Sequence, residues 1–217
     1  MAATELIYGK QPVAEAERGR RRVHRVWRAP ATANDELERL CGSRDHQGVV
    51  AEVDPYPYGG ARELLSREGL IVALDQVQDP RNLGAVCRSA EFAGATGVVI
   101  TERRSAEVTA AACKASAGAV EHLAVARVRN LADWLGEAKD AGFWVWGADA
   151  AADSAPWQAE LTGPTVLVFG GEGKGLRPRV AAACDGLLGL PGRGRVDSLN
   201  VSAAATAVLF EAIRQRH

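Results

Sequence analysis

The 217-residue sequence lacks the features that mark several protein classes. Its four cysteines are scattered without a Cys-x-x-Cys pair, and its four histidines do not complete a zinc pattern. We therefore expect reduced thiols and no metal site. No run of about 18 apolar residues occurs, which argues against a membrane span. The first residues lack the pattern of a secretory signal, so we expect a cytoplasmic protein.

The two common phosphate-binding loops are also missing. Residues 169–176 (FGGEGKGL) are similar to a P-loop, but Val168 replaces its first glycine and Gly175 its final serine or threonine. Residues 75–84, which follow the first buried apolar run, contain no Gly-x-Gly-x-x-Gly. A nucleotide-binding hydrolase is therefore disfavoured.

Charge is nearly balanced overall but uneven along the chain. The net charge is −1, whereas residues 18–28 (RGRRRVHRVWR) contain six arginines and no acid. The run surrounds Val23, Val26 and Trp27, so several arginines are predicted to share one side of a strand. Such a cluster can contact nucleic-acid phosphates, or it can be a solvated face; the pattern leaves both open.

Short apolar runs dominate the chain after residue 70. They do not alternate polar and apolar residues, so both faces of each strand are predicted to be buried, as in a parallel sheet. The predicted strands are residues 70–74, 97–100, 122–125, 143–146, 165–169 and 187–190. Helical spacing of apolar residues between them predicts a doubly wound α/β domain over residues 66–217.

Residues 1–60 are predicted to form a small, separate α/β unit. We expect a helix beginning within residues 7–16, strands at 23–27 and 48–53, and a helix at 34–41 capped by Asn34 or Asp35. Residues 55–60 (PYPYGG) serve as the linker. So small a unit has few large apolar side chains, so it should lean on the larger domain or on a partner.

Two polar stretches follow strands of the larger domain. In the first, Asn82 is predicted to cap a helix, and Arg88 lies nearly two turns further on. In the second, Glu172 stands within the glycine loop that follows the fifth strand. Read separately, they are compatible with a capped helix and a plain turn.

A third polar stretch covers residues 187–202 and leads from a strand into the last helix. Asp197, Ser198 and Asn200 could each cap that helix. Ser198 does not lie in the Gly-x-Ser-x-Gly elbow of a serine hydrolase. Loops at this position of an α/β sheet commonly bind ligands.

In order along the chain, the three stretches together resemble the three motifs of the SpoU/TrmH family of RNA ribose 2'-O-methyltransferases. The matching segments read Asn82-Leu-Gly-Ala-x-x-Arg88, Phe169-Gly-Gly-Glu-Gly-x-Gly175 and Leu190-Pro-x-x-Gly-x-x-x-Ser-Leu-Asn-Val-Ser202. The resemblance is close over residues 66–217. The first 60 residues are more loosely similar to the RlmB-like branch, which methylates a guanosine of 23S rRNA.

The resemblance implies a trefoil-knotted methyltransferase domain, S-adenosylmethionine (S-adenosyl-L-methionine) as cofactor, RNA as substrate and a homodimer. It implies a catalytic group of Asn82, Arg88, Glu172, Ser198 and Asn200, and a cofactor site of Gly170, Gly171, Leu190, Pro191, Ser198, Leu199 and Asn200. A tRNA target, another rRNA site or a non-catalytic RNA-binding module are the alternatives. The connection from Trp27 to Gly42 is shorter than this branch requires, so one strand of the small domain is predicted to be missing.

Arg88 is the general base in some accounts of the family. A guanidinium is not deprotonated in proteins, so we expect Arg88 to clamp a phosphate and stabilise the developing alkoxide instead. Arg193 and Arg195 are further candidates for phosphate contact, although exposed loop arginines are usually only solvated.

Overall fold

The structure is a computed structural model that describes residues 3–66 and 68–217. Met1 and Ala2 of the predicted small domain, and Arg67 of the predicted larger one, lie outside the described residues. Two separate sheets are present, one in each predicted domain. The exact limits, 1–60 and 66–217, stay a prediction.

The small sheet is antiparallel, in the order β1-β3-β2, with β1 at Glu5–Tyr8, β2 at Val23–Arg28 and β3 at Val49–Val53. The helix predicted to begin within residues 7–16 is present, but residue 7 is not part of it. Ile7 is buried in β1 opposite Ala51, and helix α1 begins only at Lys10 and runs to Arg18. Gly9, at φ 102°, adopts backbone geometry that glycine tolerates, and this ends the strand and lets the helix start.

Helix α2 spans Asn34–Cys41, as predicted, but its cap differs. Ala33 occupies the N-cap position, and neither Asn34 nor Asp35 makes a side-chain capping bond. Asp35 instead lies in the first turn, where a carboxylate favours the helix dipole. The helix buries only Leu37, at the α2 face turned towards β1 and β3.

The larger sheet has six parallel strands in the order β6-β5-β4-β8-β7-β9. Every residue of β4 is buried, as expected for a strand covered on both faces. The strands are β4 Leu70–Asp75, β5 Gly97–Thr101, β6 Ala124–Val128, β7 Trp144–Ala148, β8 Thr165–Gly170 and β9 Gly186–Leu188. The predicted α/β architecture is confirmed. The strand predicted at 122–125 begins two residues later, and that predicted at 187–190 ends two residues earlier.

Helices cover this sheet in two hydrophobic layers. They are α3 Ala61–Leu65, α4 Pro80–Phe92, α5 Ala110–Ala115, α6 Leu131–Asp140, α7 Pro178–Ala183 and α8 Val201–Arg216. Helix α4 packs against both α5 and α8. A Cβ on Gly84 would lie 2.4 Å from the Ala112 carbonyl oxygen, so only glycine allows α4 and α5 to approach this closely.

The start of α4 corrects the prediction for Asn82. Asp79 is the N-cap, and its side chain accepts a hydrogen bond from the backbone N–H of Arg81 (2.8 Å). Pro80 occupies the first helical turn, where a missing N–H costs nothing. Asn82 is therefore inside the helix, and its side-chain amide is available for other partners.

Five of the six arginines in the run 18–28 are exposed, and Arg21 is buried. Arg21 is 4% exposed and forms a buried ion pair with Glu121 of the larger domain, the Nε atom donating at 3.0 Å. Arg20 donates to the Leu123 carbonyl oxygen (2.7 Å), while Arg28 pairs with Glu17 (2.9 Å). Arg18 also pairs with Glu15 (3.3 Å), so four of the six arginines have intramolecular partners. Arg20 and Arg21 hold the small domain on the larger one, as its size led us to expect.

The linker reinforces this contact between the domains. The hydroxyl of Tyr56 donates to the Val120 carbonyl oxygen (2.9 Å), and burial raises the pKa of this tyrosine. Gly59 forms a parallel bridge with Ala126 of β6. No helix within the described ranges is long and apolar enough to cross a membrane.

Candidate active site

The three motif stretches meet at the carboxyl edge of the parallel sheet. Adjacent strands of a sheet lie about 4.8 Å apart, so loops that follow neighbouring strands are brought together. Strands β4 and β8 are neighbours, and the register sets Asp75 beside Gly170. The loop from β4 into α4 and the glycine loop after β8 therefore face each other, while β9 delivers the third stretch two strands away.

A hydrogen-bonded chain joins one residue from each motif. Asn82 Nδ2 donates to Glu172 Oε1 at 2.5 Å, and Asn200 Nδ2 donates to Asn82 Oδ1 at 3.1 Å. Asn200 Oδ1 in turn accepts from the backbone N–H of Ser202 (2.9 Å) and so caps α8. Residues 82, 172 and 200, which the sequence places far apart, thus form one cluster.

The direction of this chain is fixed by the carboxylate at one end and the helix cap at the other. An ionised carboxylate only accepts hydrogen bonds, so Asn82 must present its amide N–H groups to Glu172. This leaves Asn82 Oδ1 to accept from Asn200, whose own oxygen must accept from the first turn of α8. A substitution that replaces the donating N–H group of either asparagine with an oxygen would bring two hydrogen-bond acceptors into contact.

The glycine loop is held by a buried carboxylate at the end of β4. Asp75 is 1% exposed, and its Oδ1 accepts from Arg177 Nη2 (2.7 Å) and Nε (2.8 Å). Its Oδ2 accepts from the backbone N–H of Arg177 (2.9 Å). These bonds fasten the far end of the loop that carries Glu172.

Glycine is required where this loop leaves β8. A Cβ on Gly170 would lie 2.0 Å from the Gly175 carbonyl carbon, and one on Gly171 would lie 2.6 Å from the Gln76 carbonyl oxygen. Gly173 and Gly175 have φ of 74° and 63°, a region that glycine adopts readily. The loop is therefore a tight turn with backbone close to backbone.

The other candidate residues of the third motif differ in burial, and most of them are exposed. Leu190 is half-buried and packs against the core, whereas Pro191 is exposed. Leu199 is 59% exposed, and Ser198 is exposed and makes no hydrogen bond within the described residues. Among the three candidate caps of α8, only Asn200 takes that role.

Arg88 lies apart from the asparagine–glutamate cluster. It is exposed and makes no ion pair within the part of the chain that the structure describes. Six residues beyond Asn82, it is about 9 Å further along α4 and points about 120° away around the helix. It shares a helix face with Phe92, four residues on, which is 75% exposed.

Sequence reasoning missed two elements of this edge. The loop after β7, residues 149–155, lies between the ends of β8 and β9, and its Ser154 carbonyl oxygen accepts from the N–H of Gly189 (2.8 Å). The second is Asp75 with its partner Arg177. The sequence does contain a signal for this pair: Asp75 ends an otherwise apolar strand, and a carboxylate buried there requires a hydrogen-bonding partner.

A search of the described ranges finds no cluster of three His, Cys, Asp or Glu side chains that could hold a metal ion. The site consists instead of two amides, one exposed carboxylate, glycine backbone and apolar side chains of the third motif.

The sequence and fold match known methyltransferases. Residues 69–210 match the model described as the SpoU rRNA Methylase family. The chain is 39% identical to the 23S rRNA (guanosine-2'-O-)-methyltransferase RlmB of Pseudomonas putida, across 100% of this chain and 98% of that protein. It is 37% identical to an uncharacterized tRNA/rRNA methyltransferase of Synechocystis, covering 99% of this chain but only 63% of the relative's length.

A solved structure with a similar fold carries the cofactor. The AdoMet-bound rRNA methyltransferase from Sinorhizobium meliloti superposes with a TM-score of 0.85 at 26% identity, covering 97% of this chain and 87% of that one. The family model spans most of the larger domain, including all three motif stretches up to the middle of α8. The chain therefore belongs to the SpoU rRNA methylase family.

Proposed function

We propose that this chain transfers a methyl group from S-adenosylmethionine to a ribose 2'-hydroxyl of RNA, with a guanosine of 23S rRNA as its target, in the cytoplasm. The observation that carries the proposal is the chain Glu172–Asn82–Asn200, which joins one polar side chain from each motif. The Pseudomonas putida relative is a 23S rRNA (guanosine-2'-O-)-methyltransferase that is similar over nearly the whole of both chains, which supports the ribose hydroxyl and the rRNA target.

The residues at the carboxyl edge suit this cofactor chemically. When bound, S-adenosylmethionine supplies an electrophilic methyl group on a positively charged sulfur and carries no phosphate. The exposed carboxylate of Glu172 has the complementary charge. The half-buried Leu190 and the exposed Leu199 offer apolar surface for an adenine ring, and the backbone of Gly170 and Gly171 offers hydrogen-bonding groups.

The chain's own residues then orient the RNA hydroxyl. Glu172 fixes the amide of Asn82, and Asn82 fixes Asn200, so that these groups need no rearrangement when RNA arrives. Arg88 supplies the positive charge that the developing alkoxide and the neighbouring phosphate require. Ser198 completes the group from the third motif as a hydroxyl that hydrogen-bonds the substrate.

We propose that the active form is a homodimer built on the exposed face of α4 and α8. Phe92 and Phe210 are 75% and 46% exposed, and they stack on each other with ring centroids 6.0 Å apart. Exposed stacked aromatic rings are typical of an interaction surface. Arg88 lies on the same face of α4 as Phe92, so a partner docked on this surface would lie next to the guanidinium.

Two measurements test the proposed activity. Ribose methylation is mapped by mass spectrometry on 23S rRNA and tRNA transcripts incubated with the protein and S-adenosylmethionine; we expect a product on 23S rRNA only. Arg88→Lys keeps the charge but loses the planar fork, so it should lose most turnover while S-adenosylmethionine binding, measured by calorimetry, is unchanged. Near-normal turnover of Arg88→Lys contradicts the assigned role, and methylation of tRNA alone contradicts the target.

The dimer is tested by sedimentation equilibrium. Phe92→Glu places a charge in the apolar surface and should shift the protein to a monomer with little turnover. Trp157→Glu is the control, because Trp157 is also an exposed aromatic residue (56%) but is not one of the two stacked phenylalanines, and it should leave the dimer intact. A wild-type monomer that methylates RNA at full rate would refute the homodimer.

A further inference from the structure

The loop after β5 carries two arginines whose charges no neighbouring acid neutralises. Arg103 and Arg104 are both exposed, and neither forms an ion pair within residues 3–66 and 68–217. The acids on either side are already engaged, since Glu102 pairs with Arg129 (3.5 Å) and Glu107 pairs with Arg127 (3.1 Å). The turn therefore presents an uncompensated double positive charge to solvent.

The turn is rigidly built rather than a loose loop. The hydroxyl of Thr101, a residue only 4% exposed, donates to the Arg103 carbonyl oxygen (2.9 Å) and contacts the Ser105 hydroxyl (2.6 Å). Arg104 has φ 59°, in the left-handed region that costs a residue with a side chain more than it costs glycine. A strained residue held in place by a hydrogen-bonded turn is found more often at functional sites than elsewhere.

Hydrogen bonds connect this turn directly to the active-site loop. The N–H of Ala106 donates to the Val77 carbonyl oxygen (2.8 Å), and Val77 lies in the segment that leads from β4 into α4 and Asn82. Strand β5 is the neighbour of β4 on the side away from β8, so the arginines continue the carboxyl edge beyond the catalytic cluster.

The other end of the turn contacts the linker to the small domain. The N–H of Val108 donates to the Tyr58 hydroxyl (2.9 Å), and the Arg127 guanidinium lies 5.0 Å from the centre of the Tyr58 ring. The two arginines therefore lie on the path between the active-site cluster and the linker that joins the domains.

We propose that the Arg103–Arg104 turn binds backbone phosphates of the substrate RNA on one side of the target ribose. The proposal rests on the RNA-methylating function proposed above and adds a specific contact surface to it. Phosphate contacts fix the register of a nucleic acid without reading its sequence. A fixed turn bonded to the active-site loop would set the distance from a bound phosphate to the methylated ribose.

The experiment compares three full-length variants with the wild-type protein. R103Q/R104Q removes both charges, and R104G removes one charge and relieves the left-handed strain. R62Q is the matched control, because Arg62 is also exposed and lies on α3, which packs with α6 on the other side of the sheet from α4 and α8. Binding is measured by fluorescence anisotropy on a labelled uridine homopolymer and on a 23S rRNA transcript over a range of salt concentrations.

We expect R103Q/R104Q to weaken binding of both RNA probes about tenfold or more at low salt. For single-stranded RNA each lost phosphate contact should reduce the slope of log K against log salt by about 0.7, so the double variant should lose about 1.4. The KM for the 23S transcript should rise while kcat and S-adenosylmethionine affinity stay within about twofold. R104G should show about half of the slope change of the double variant, and its melting temperature should stay equal or rise. R62Q should match the wild type.

The failures of the two proposals are distinguishable. If the variants keep the wild-type salt slope and KM, the turn is not an RNA contact, whatever RNA the protein methylates. If the wild type methylates no RNA but binds both probes with a slope that the double variant loses, the contact stands and the catalytic proposal fails. If R104G loses RNA affinity only together with its melting temperature, the turn has a structural role alone and the inference is overturned.

Discussion

The ion pair between Asp75 and Arg177 offers a quantitative test of how the glycine loop is held. Arg177→Met keeps much of the side-chain length but leaves the buried Asp75 carboxylate with a single backbone N–H. Removing one partner of a fully buried pair costs about 3–5 kcal/mol, and an exposed pair is worth about 1 kcal/mol or less. Because the Arg177 side chain is 44% exposed while that of Asp75 is 0% exposed, we expect a loss of about 2 kcal/mol, between these limits.

The fold supplies a control ion pair with the same N···O distance and different burial. Arg179 pairs with Asp133 at 2.7 Å, the distance found between Arg177 and Asp75, but the two side chains are 74% and 59% exposed. For a chain of this size each kcal/mol changes the melting temperature by about 2–4 °C. Arg177→Met should therefore lower the melting temperature by about 4–8 °C, and Arg179→Met by less than about 4 °C.

A double-mutant cycle assigns the loss to the pair itself. Asp75→Asn alone should also destabilise the protein, because an amide N–H group would face a donor of Arg177. The variant with both substitutions should lose less than the sum of the two single losses, with a coupling of about 1–2 kcal/mol. Equal effects of Arg177→Met and Arg179→Met, or strict additivity in the cycle, would refute the argument that burial makes this pair important.

Three further predictions follow from buried groups. Glu121→Gln removes the buried counter-charge of Arg21 and leaves only the half-exposed carboxylate of Glu5 (3.2 Å) beside its guanidinium. The cost should therefore lie at the lower end of the range for a broken buried pair, about 3 kcal/mol in thermal unfolding, and a loss below about 1 kcal/mol would show that the interdomain pair is solvated. At pH 8 a thiol reagent should react rapidly with Cys41 alone, because burial raises the pKa of Cys184 to about 12 and that of Cys113 to about 11. Above pH 9 these thiols ionise in the unfolded chain but stay protonated in the folded protein. The free energy of unfolding should therefore fall as the pH rises from 9 towards 11, and a flat profile would contradict this.

The parallel sheet could be predicted because its strands are apolar on both faces, but some strand ends could not. The run at 122–125 looked like a strand because it contains Leu123 and Val125. In the structure Leu123 closes the preceding turn through its N–H to the Ala119 carbonyl oxygen. The strand instead continues through Arg127, whose charge is accommodated over the Tyr58 ring. That contact comes from the linker, about 70 residues away, and no local pattern reveals it.

The arginine run shows the same limit for the functional interpretation. A local pattern of six arginines without acids is compatible with a phosphate-binding face. Arg21 is buried because Glu121, about 100 residues later in the chain, is buried opposite it, and Arg20 donates to backbone carbonyl oxygens of the same segment. The sequence does not single out Arg103 and Arg104 as a positive patch, because Glu102 and Glu107 lie close to them in the chain and could neutralise them. Only the structure shows that those acids are already paired with other arginines.

Helix α4 explains why the candidate site depends on more than the motifs themselves. Asn82 in its first turn belongs to the asparagine–glutamate cluster, Gly84 fixes its packing on α5, and Phe92 at its end lies in the proposed dimer surface. A helix of 13 residues spans about 20 Å, and this one is held along its length by α5 and α8. Arg88 makes no ion pair with Glu172 or with any other acid of the described residues. If Arg88 acts in methyl transfer, the RNA or a second copy of the chain must come to it, so turnover should depend on association at the α4 and α8 face even though the asparagine–glutamate chain is complete within one molecule.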